Sequence, residues 1–167
     1  MKIIRCTRKL LKELKVEPEE NVWEKSWLES WHADVFILER RKCILITNDR
    51  TLYSFFLPAF HKDNFLHFRH IVNEYFFKSM MHEGFSQNII EKVLSVGDDM
   101  VFTKSANTAV MGSMTNFKQC IEVVILMHGG LEHCSSFEIQ RSINTMPMKA
   151  INYQLPVELF VDKLEND

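Results

Sequence analysis

The first third of the chain places apolar residues in the short runs and alternations that are typical of β-strands. Three segments show this pattern most clearly: residues 31–38, 42–47 and 51–57. Polar residues separate them at 39–42 and at 47–50. Asn48 and Asp49 suit the second turn, because both tolerate a left-handed backbone and bond their own main chain. The pattern therefore predicts a three-stranded antiparallel β-meander.

After this meander the apolar period lengthens to that of a helix. Residues 63–81 and 87–96 predict two amphipathic helices separated by Gly84, and Ser86 is a suitable N-cap for the second. This helical hairpin would cover one face of the sheet. The remaining predicted elements are strands at 2–6 and 100–103, helices at 8–15, 115–127 and 157–164, and a short closing strand within 144–155.

Together these elements predict an α+β fold, in which a mostly antiparallel sheet is covered by the helical hairpin and a further helix. No repeat, low-complexity tract or long linker divides the 167 residues, so we expect residues 1–167 to form a single α+β domain. Residues 22–30 stay ambiguous, because Trp23, Trp27 and Trp31 recur at helical spacing directly before a strand.

Composition and charge limit the classes of partner that the sequence favours. The formal net charge of -2 offers no basic excess for nucleic acid, which would need a local patch such as the lysines and arginines of the first fifteen residues. The 13 Phe and 9 Met residues favour a Phe-lined core, with a Met- and Phe-rich partner groove as the alternative.

The four cysteines lie far apart and no signal peptide opens the chain, so we expect reduced thiols and a cytoplasmic protein. The longest apolar run, residues 123–127, is too short to cross a bilayer, and no membrane association is expected. The histidines and cysteines lack the regular spacing of zinc ligands, and no glycine-rich phosphate motif occurs. We therefore expect neither a metal nor a cofactor.

Two groups of polar residues are candidate ligand-binding sites. The first comprises Arg40, Arg41, Asn48, Asp49 and Arg50. An arginine here could bind a phosphate or carboxylate, although the same residues also suit solvated turns. A hairpin places its two ends at opposite edges, so these groups need not converge.

The second candidate is a strand that leads through small polar residues into a helix, the arrangement that presents backbone N–H groups to an anion. Its members are Thr103, Lys104, Ser105 and Ser113. Ser113 or Thr115 would alternatively serve only as the cap of the following helix. The sequence leaves open whether this segment and the turn at Asn48 meet.

Blocks of the chain resemble an uncharacterised family of small bacterial proteins. Residues 40–55, RRKCILITNDRTLYSF, are similar to its signature RRKCLLFTNEKTLFSF, and residues 101–116, VFTKSANTAVMGSMTN, to its block VFTKTNSRSVLGSMND. Residues 3–11 also fit the start of that family. The resemblance implies a shared fold and no particular activity. Thr108 stands where the family block has an arginine, so a function of that arginine would be missing here.

Three functions are compatible with these observations. The first is a non-enzymatic binding protein that recognises a protein partner or forms a homodimer, since aromatic and Met residues are enriched at interfaces. The second is a nucleic-acid or nucleotide-binding regulator that uses a local basic surface. The third is a small hydrolase or nuclease, with Asp49, Arg50, Thr103, Lys104 and Ser113 as candidate residues.

Overall fold

The structure, a computed structural model, describes residues 1–166, which build a five-stranded sheet with helices on both faces. The strands are β1 (Lys2–Cys6), β2 (Ser30–Leu38), β3 (Arg41–Asn48), β4 (Ser54–Leu57) and β5 (Met100–Lys104). The helices are α1 (Arg8–Leu14), α2 (Phe68–Glu83), α3 (Gln87–Leu94), α4 (Thr108–Met127), α5 (Ser136–Asn144) and α6 (Pro156–Asn166). Short 3-10 helices lie at Trp27–Glu29, Lys62–His67, Leu131–His133 and Lys149–Ile151.

The strand order across the sheet is β4-β3-β2-β1-β5. β2, β3 and β4 form the predicted antiparallel meander, and the predicted α+β class is confirmed. β1 lies beside β2 and runs parallel both to it and to β5. A parallel neighbour requires a crossover connection, and the segment with α1 provides it between β1 and β2.

Successive side chains of a strand point to opposite faces of the sheet. Because helices cover both faces of this sheet, apolar side chains lie on both. On one face Trp31, Ile44 and Phe55 pack against α1, α2, α3 and α6. On the other face Leu45 and Phe56 pack against α4 and α5. The predicted helical hairpin is α2 and α3, and Gly84 ends α2 at a φ of 78°, where a side chain would be strained. The further helix, α4, covers the opposite face.

The ambiguous segment before β2 is not a helical stripe. Trp23 is 81% exposed in an irregular stretch, whereas Trp31 is fully buried in β2. Trp27 lies between them in a 3-10 helix. The three tryptophans therefore do not share one face of a helix, although they are four residues apart, because the backbone becomes extended at Ser30.

The prediction for the start of α4 was wrong. The helix begins at Thr108 and is capped by Asn107, rather than beginning near Thr115 with Ser113 or Thr115 as its cap. The hydroxyls of both predicted caps donate to carbonyl oxygens one turn earlier, Ser113 to Ala109 and Thr115 to Met111. Such bonds let these residues sit inside a helix.

The structure also differs from the predicted elements at β4, at residues 144–155 and at α5. The third strand of the meander begins at Ser54 rather than at residue 51. The expected closing strand within 144–155 is reduced to a single bridge between Met148 and Gln154. α5 was not predicted, although Ser135 and Glu138 form a capping box at its start.

Tyr75 of α2 is half-buried with its hydroxyl out of solvent, and its ring stacks on Phe137 of α5. Burial raises the pKa of Tyr75 to about 12, against about 10 for tyrosine in an unfolded chain. The folded protein therefore holds this proton more tightly. The resulting stability is complete below pH 10 and is lost as the pH rises towards 12.

We expect Tyr75 alone to reduce the free energy of unfolding by about 2 kcal/mol between pH 9 and pH 12. Urea unfolding of the wild type and of Tyr75→Phe across this range isolates the contribution, since the variant lacks the titrating group. Tyr153→Phe is the matched control, because Tyr153 is 68% exposed. Identical pH profiles for Tyr75→Phe and the wild type would contradict this assignment.

Candidate functional site

A row of polar side chains crosses the sheet on the face that α4 covers. Strand register places Thr103, Arg5, His32, Thr47 and Ser54 side by side, one on each strand. The hydroxyls of Thr47 and Ser54 lie 2.8 Å apart and bond each other. Polar groups that are covered by a helix need hydrogen-bond partners. For the residues at the centre of this row, the turn after β3 supplies most of these partners.

Asp49, which follows β3 directly, gathers three side chains around its carboxylate. Its Oδ1 lies 2.6 Å from His32 Nδ1. Its Oδ2 accepts a hydrogen bond from Ser30 Oγ at 2.7 Å and lies 3.3 Å from Arg5 Nη1. Arg5 also donates to Ser30 Oγ and, at 2.7 Å, to Glu24 Oε2. The single positive charge of Arg5 therefore contacts two carboxylates.

His32 connects this network to α4. Its side chain is fully buried, and its Nε2 lies 3.4 Å from the backbone N–H of Asn107. Because a backbone N–H only donates, this contact assigns the ring proton to Nδ1, which faces Asp49. Asn107 in turn caps α4 by accepting from the N–H groups of Ala109 and Val110. His32 thus positions the start of α4 above the sheet.

Asn48 holds the turn after β3 in shape. Its Oδ1 accepts from the N–H groups of Arg50 (3.1 Å) and Thr51 (3.0 Å) and from the Thr51 hydroxyl (3.0 Å). Its Nδ2 donates to the carbonyl oxygens of Trp27 and Ser30. Asn48 is fully buried, so it builds the turn and offers nothing to a ligand, while Arg50 projects from the turn into solvent.

An open cleft of about 660 Å³ lies beside this network, with walls from five separate parts of the chain. Its lining comprises Arg5, Glu24, Trp27, Ser30, Asp49, Arg50, Ala106, Asn107 and Lys163. A second hollow of about 420 Å³ continues from it past Arg50 and Lys163. The turn after β3 and the segment before α4 therefore meet in one cleft, which answers the question that the sequence left open.

Arg50 carries the unpaired charge of this cleft. Within residues 1–166 its guanidinium makes no hydrogen bond or ion pair, and only its backbone N–H is engaged. Lys163 also lines the cleft, where its Nζ lies 5.5 Å from the centre of the Trp27 ring. The amino end of α4 at Asn107 contributes a partial positive charge. The part of the cleft between Arg50 and the amino end of α4 therefore suits an anionic group.

Some of the predicted site residues lie far from the cleft. Arg40 and Arg41 are at the opposite end of β2, roughly 25 Å away for a strand of this length. Arg41 forms an ion pair with Glu132 there. The two arginines thus do not converge with Asp49 and Arg50.

The members of the second predicted group are also dispersed. Thr103 belongs to the polar row, next to Arg5. Lys104 is exposed at the end of β5, and the N–H of Ser105 donates to the carbonyl of Cys6 at 3.0 Å. Ser113 is buried within α4, where its hydroxyl bonds the helix backbone. None of the four lines the cleft.

Sequence reasoning missed His32 and Ser30, and it did not connect Lys163 with the cleft. A signal for the first two exists. Residues 30, 32 and 34 are Ser, His and Asp, and they alternate with apolar residues along β2. Three polar residues on one face of a strand that is otherwise buried predict a polar network there. Lys163 has no such signal, because α6 reaches the cleft only through tertiary packing.

Among residues 1–166, no group of three or more His, Cys, Asp or Glu side chains is arranged to hold a metal ion. No helix in the described part of the chain combines the length and the apolar character that spanning a membrane requires. The side chains that line the cleft carry guanidinium, ammonium, carboxylate, amide, hydroxyl and indole groups.

No curated protein and no solved structure matches the chain. A family model described as a domain of unknown function, DUF6933, matches residues 3–159. The resemblance to a family without an assigned activity is thereby confirmed. Since the match covers nearly the whole chain, the protein belongs to the DUF6933 family.

Proposed function

We propose that the protein is a non-enzymatic, cytoplasmic binding protein whose cleft takes an anionic small molecule, such as a nucleotide. The observation that carries the proposal is the guanidinium of Arg50, which opens into a cleft of about 660 Å³ without a partner among residues 1–166. Arginine binds phosphate and carboxylate groups in a bidentate manner. The cleft has room for such a group together with the rest of a small ligand.

Binding without turnover is supported by the state of the groups that catalysis would need. The Ser30 hydroxyl donates to Asp49 and accepts from Arg5, so it is held away from a ligand. His32 is fully buried and contacts a partner through each of its ring nitrogens. Ser30 and His32 therefore support the wall of the cleft, and Arg50 is the residue that would bind the ligand.

The cytoplasmic part of the proposal is supported by the cysteines. Cys6, Cys43, Cys120 and Cys134 are all free thiols. Burial raises the pKa of Cys6 and of Cys43, which keeps these thiols protonated and unreactive. Buried free thiols without disulfides are typical of proteins from reducing compartments.

Recognition of another protein, or of a second copy of this chain, is the second candidate function. Large apolar side chains in contact with solvent favour it, and Leu126 and Met127 of α4 are each 79% exposed. Neighbouring exposed apolar residues of this kind are enriched at the centres of interfaces. The native mass spectrum that detects a bound small molecule also reports a dimer or a second polypeptide.

Arg50→Ala should weaken the binding of an anionic ligand about 10- to 100-fold, since a hydrogen bond to a charged group contributes about 1.5–3 kcal/mol. The probes are ATP, pyrophosphate and inorganic phosphate, titrated by calorimetry at low salt after native mass spectrometry of the isolated protein. Arg8→Ala, which removes an exposed arginine of α1, is the control and should bind like the wild type.

Two outcomes would contradict the proposal. One is the absence of binding by all three probes together with a native mass spectrum that shows no bound anion. The other is equal affinity of Arg50→Ala and the wild type. Release of phosphate from ATP at a rate that depends on Arg50 would instead favour the hydrolase, and weakening by Arg8→Ala would favour a broad basic surface of the kind that nucleic acid needs.

A further inference from the structure

β2 extends well beyond its neighbour β1. The register pairs Cys6, the last residue of β1, with Ala33, and β2 continues from there to Leu38. On the other side β2 is paired with β3 along its whole length. The second half of β2 therefore has a neighbouring strand on one side only, although it lies inside the order of the sheet.

The unpaired side of this segment has main-chain groups without a strand partner. The carbonyl of Ala33 points towards β1, since it accepts a hydrogen bond from the N–H of Thr7 at 3.1 Å. Alternate residues of a strand direct their N–H and C=O groups to the same side. Val35 and Ile37 therefore direct theirs towards the place that a longer β1 would occupy, and no residue between 1 and 166 pairs with them there.

A groove of about 540 Å³ runs along this open edge, between β2 and α1. Its floor is apolar and consists of Val35, Phe36 and Ile37. Ile37 is 66% exposed, which is unusual for an isoleucine in a strand. A sheet edge is ordinarily protected by charged residues or proline at such a position, so an isoleucine there favours contact with a partner.

The rim of the groove is basic. Lys9, Lys12 and Lys42 lie around it together with one acidic residue, Glu13. Lys42 and Glu13 neutralise each other at 2.6 Å. Lys9 and Lys12 form no ion pair with any residue that the structure describes. The groove therefore has two uncompensated positive charges beside an apolar floor.

We propose that the open edge of β2 at residues 35–37 binds an extended segment of another protein that contains both acidic and apolar residues. The segment would add a strand beside β2 and accept and donate main-chain hydrogen bonds at Val35 and Ile37, as in other β-strand additions. Its apolar side chains contact Phe36 or Ile37, and its carboxylates pair with Lys9 and Lys12. A second copy fits less well, because two-fold pairing of β2 edges would bring both sets of lysines together. This surface is independent of the Arg50 cleft.

The proposal is tested by selecting a displayed library of random heptapeptides against the full-length protein. We expect the selected peptides to alternate apolar and acidic residues. In titrations followed by fluorescence anisotropy, Lys9→Glu/Lys12→Glu should weaken their binding at least tenfold. Lys25→Glu/Lys149→Glu changes the net charge equally at exposed positions away from the groove and should leave binding unchanged.

Two further measurements locate the bound peptide. Amide hydrogen exchange should slow at Val35 and Ile37 when a selected peptide binds. Ile37→Pro, which removes one outward N–H but leaves the bonds to β3 in place, should abolish binding. The charge variants keep the test decisive even where the proline variant fails to fold. Arg50→Ala should bind the peptides normally.

Several outcomes would overturn the proposal. They are a library that yields no binders, binders without acidic residues, and binders whose affinity is insensitive to Lys9 and Lys12 or whose exchange protection lies elsewhere. Peptide binding that depends on Arg50 would also overturn it, because the cleft would then be the peptide site.

Discussion

Replacing Trp31 by alanine should lower the free energy of unfolding by about 3–5 kcal/mol, the range for large aromatic residues in a packed core. The Trp31 side chain is fully buried, and its ring lies 5.6 Å from that of Phe55, 5.1 Å from Phe76 and 6.3 Å from Phe160. These rings belong to β4, α2 and α6. The cavity would therefore open where three elements meet the sheet, and all three would lose contacts.

Trp23→Ala is the matched control for this variant, since it removes the same side chain from a position that is 81% exposed. We expect it to change stability by less than about 0.5 kcal/mol. Urea unfolding followed by circular dichroism measures both variants. Equal effects of the two substitutions would contradict the packing described for β2.

Asp49→Ala should have the second largest effect, a loss of about 2–4 kcal/mol. The substitution removes the acceptor shared by His32, Ser30 and Arg5, and it leaves the fully buried His32 ring without a partner at Nδ1. The cost is thus that of unsatisfied polar groups, and it exceeds the net strength of one hydrogen bond.

Glu24→Ala provides the comparison, because it removes the other carboxylate that contacts Arg5. The Glu24 side chain is 46% exposed, and an exposed ion pair contributes less than about 1 kcal/mol. Urea unfolding of both variants measures the difference between their free energies of unfolding. If Asp49→Ala were as stable as Glu24→Ala, the stability of the protein would not depend on Asp49 as the shared acceptor of His32, Ser30 and Arg5.

Trp31→Ala and Asp49→Ala affect the two opposite faces of the same central strand, β2. Trp31 and His32 are neighbours in β2 and point to opposite faces of the sheet. One anchors the apolar layer, and the other holds the start of α4 through Asn107. The cleft is therefore built on the central strands, and Arg50 is presented by a turn whose shape depends on the buried Asn48.

The candidate site could be predicted only in part from the sequence. The turn at Asn48, Asp49 and Arg50 was recognised, because short-range hydrogen bonding of Asn and Asp identifies turns. The role of Arg5 was assigned to a basic surface instead. Its actual partners, Glu24 and Asp49, are far from it along the chain, and no local pattern relates them.

The amino-acid sequence by itself determined the kind and order of most elements. The meander β2–β3–β4, the hairpin of α2 and α3, and strands β1 and β5 all follow from apolar periodicity and turn residues, which depend on neighbours within a few positions. The start of α4 escaped this reasoning, because Asn107 acts as its cap and Ser113 bonds within the helix.

Only the tertiary structure decided which of these elements are adjacent. Whether β1 pairs with β2, and how far, depends on contacts between residues that are distant along the chain. Those contacts bring Arg5 to Asp49, α6 to the cleft and the amino end of α4 to His32. They also leave the second half of β2 without a neighbour. The candidate site and the open strand edge are both products of packing, because each is defined by groups that meet, or fail to meet, across the sheet.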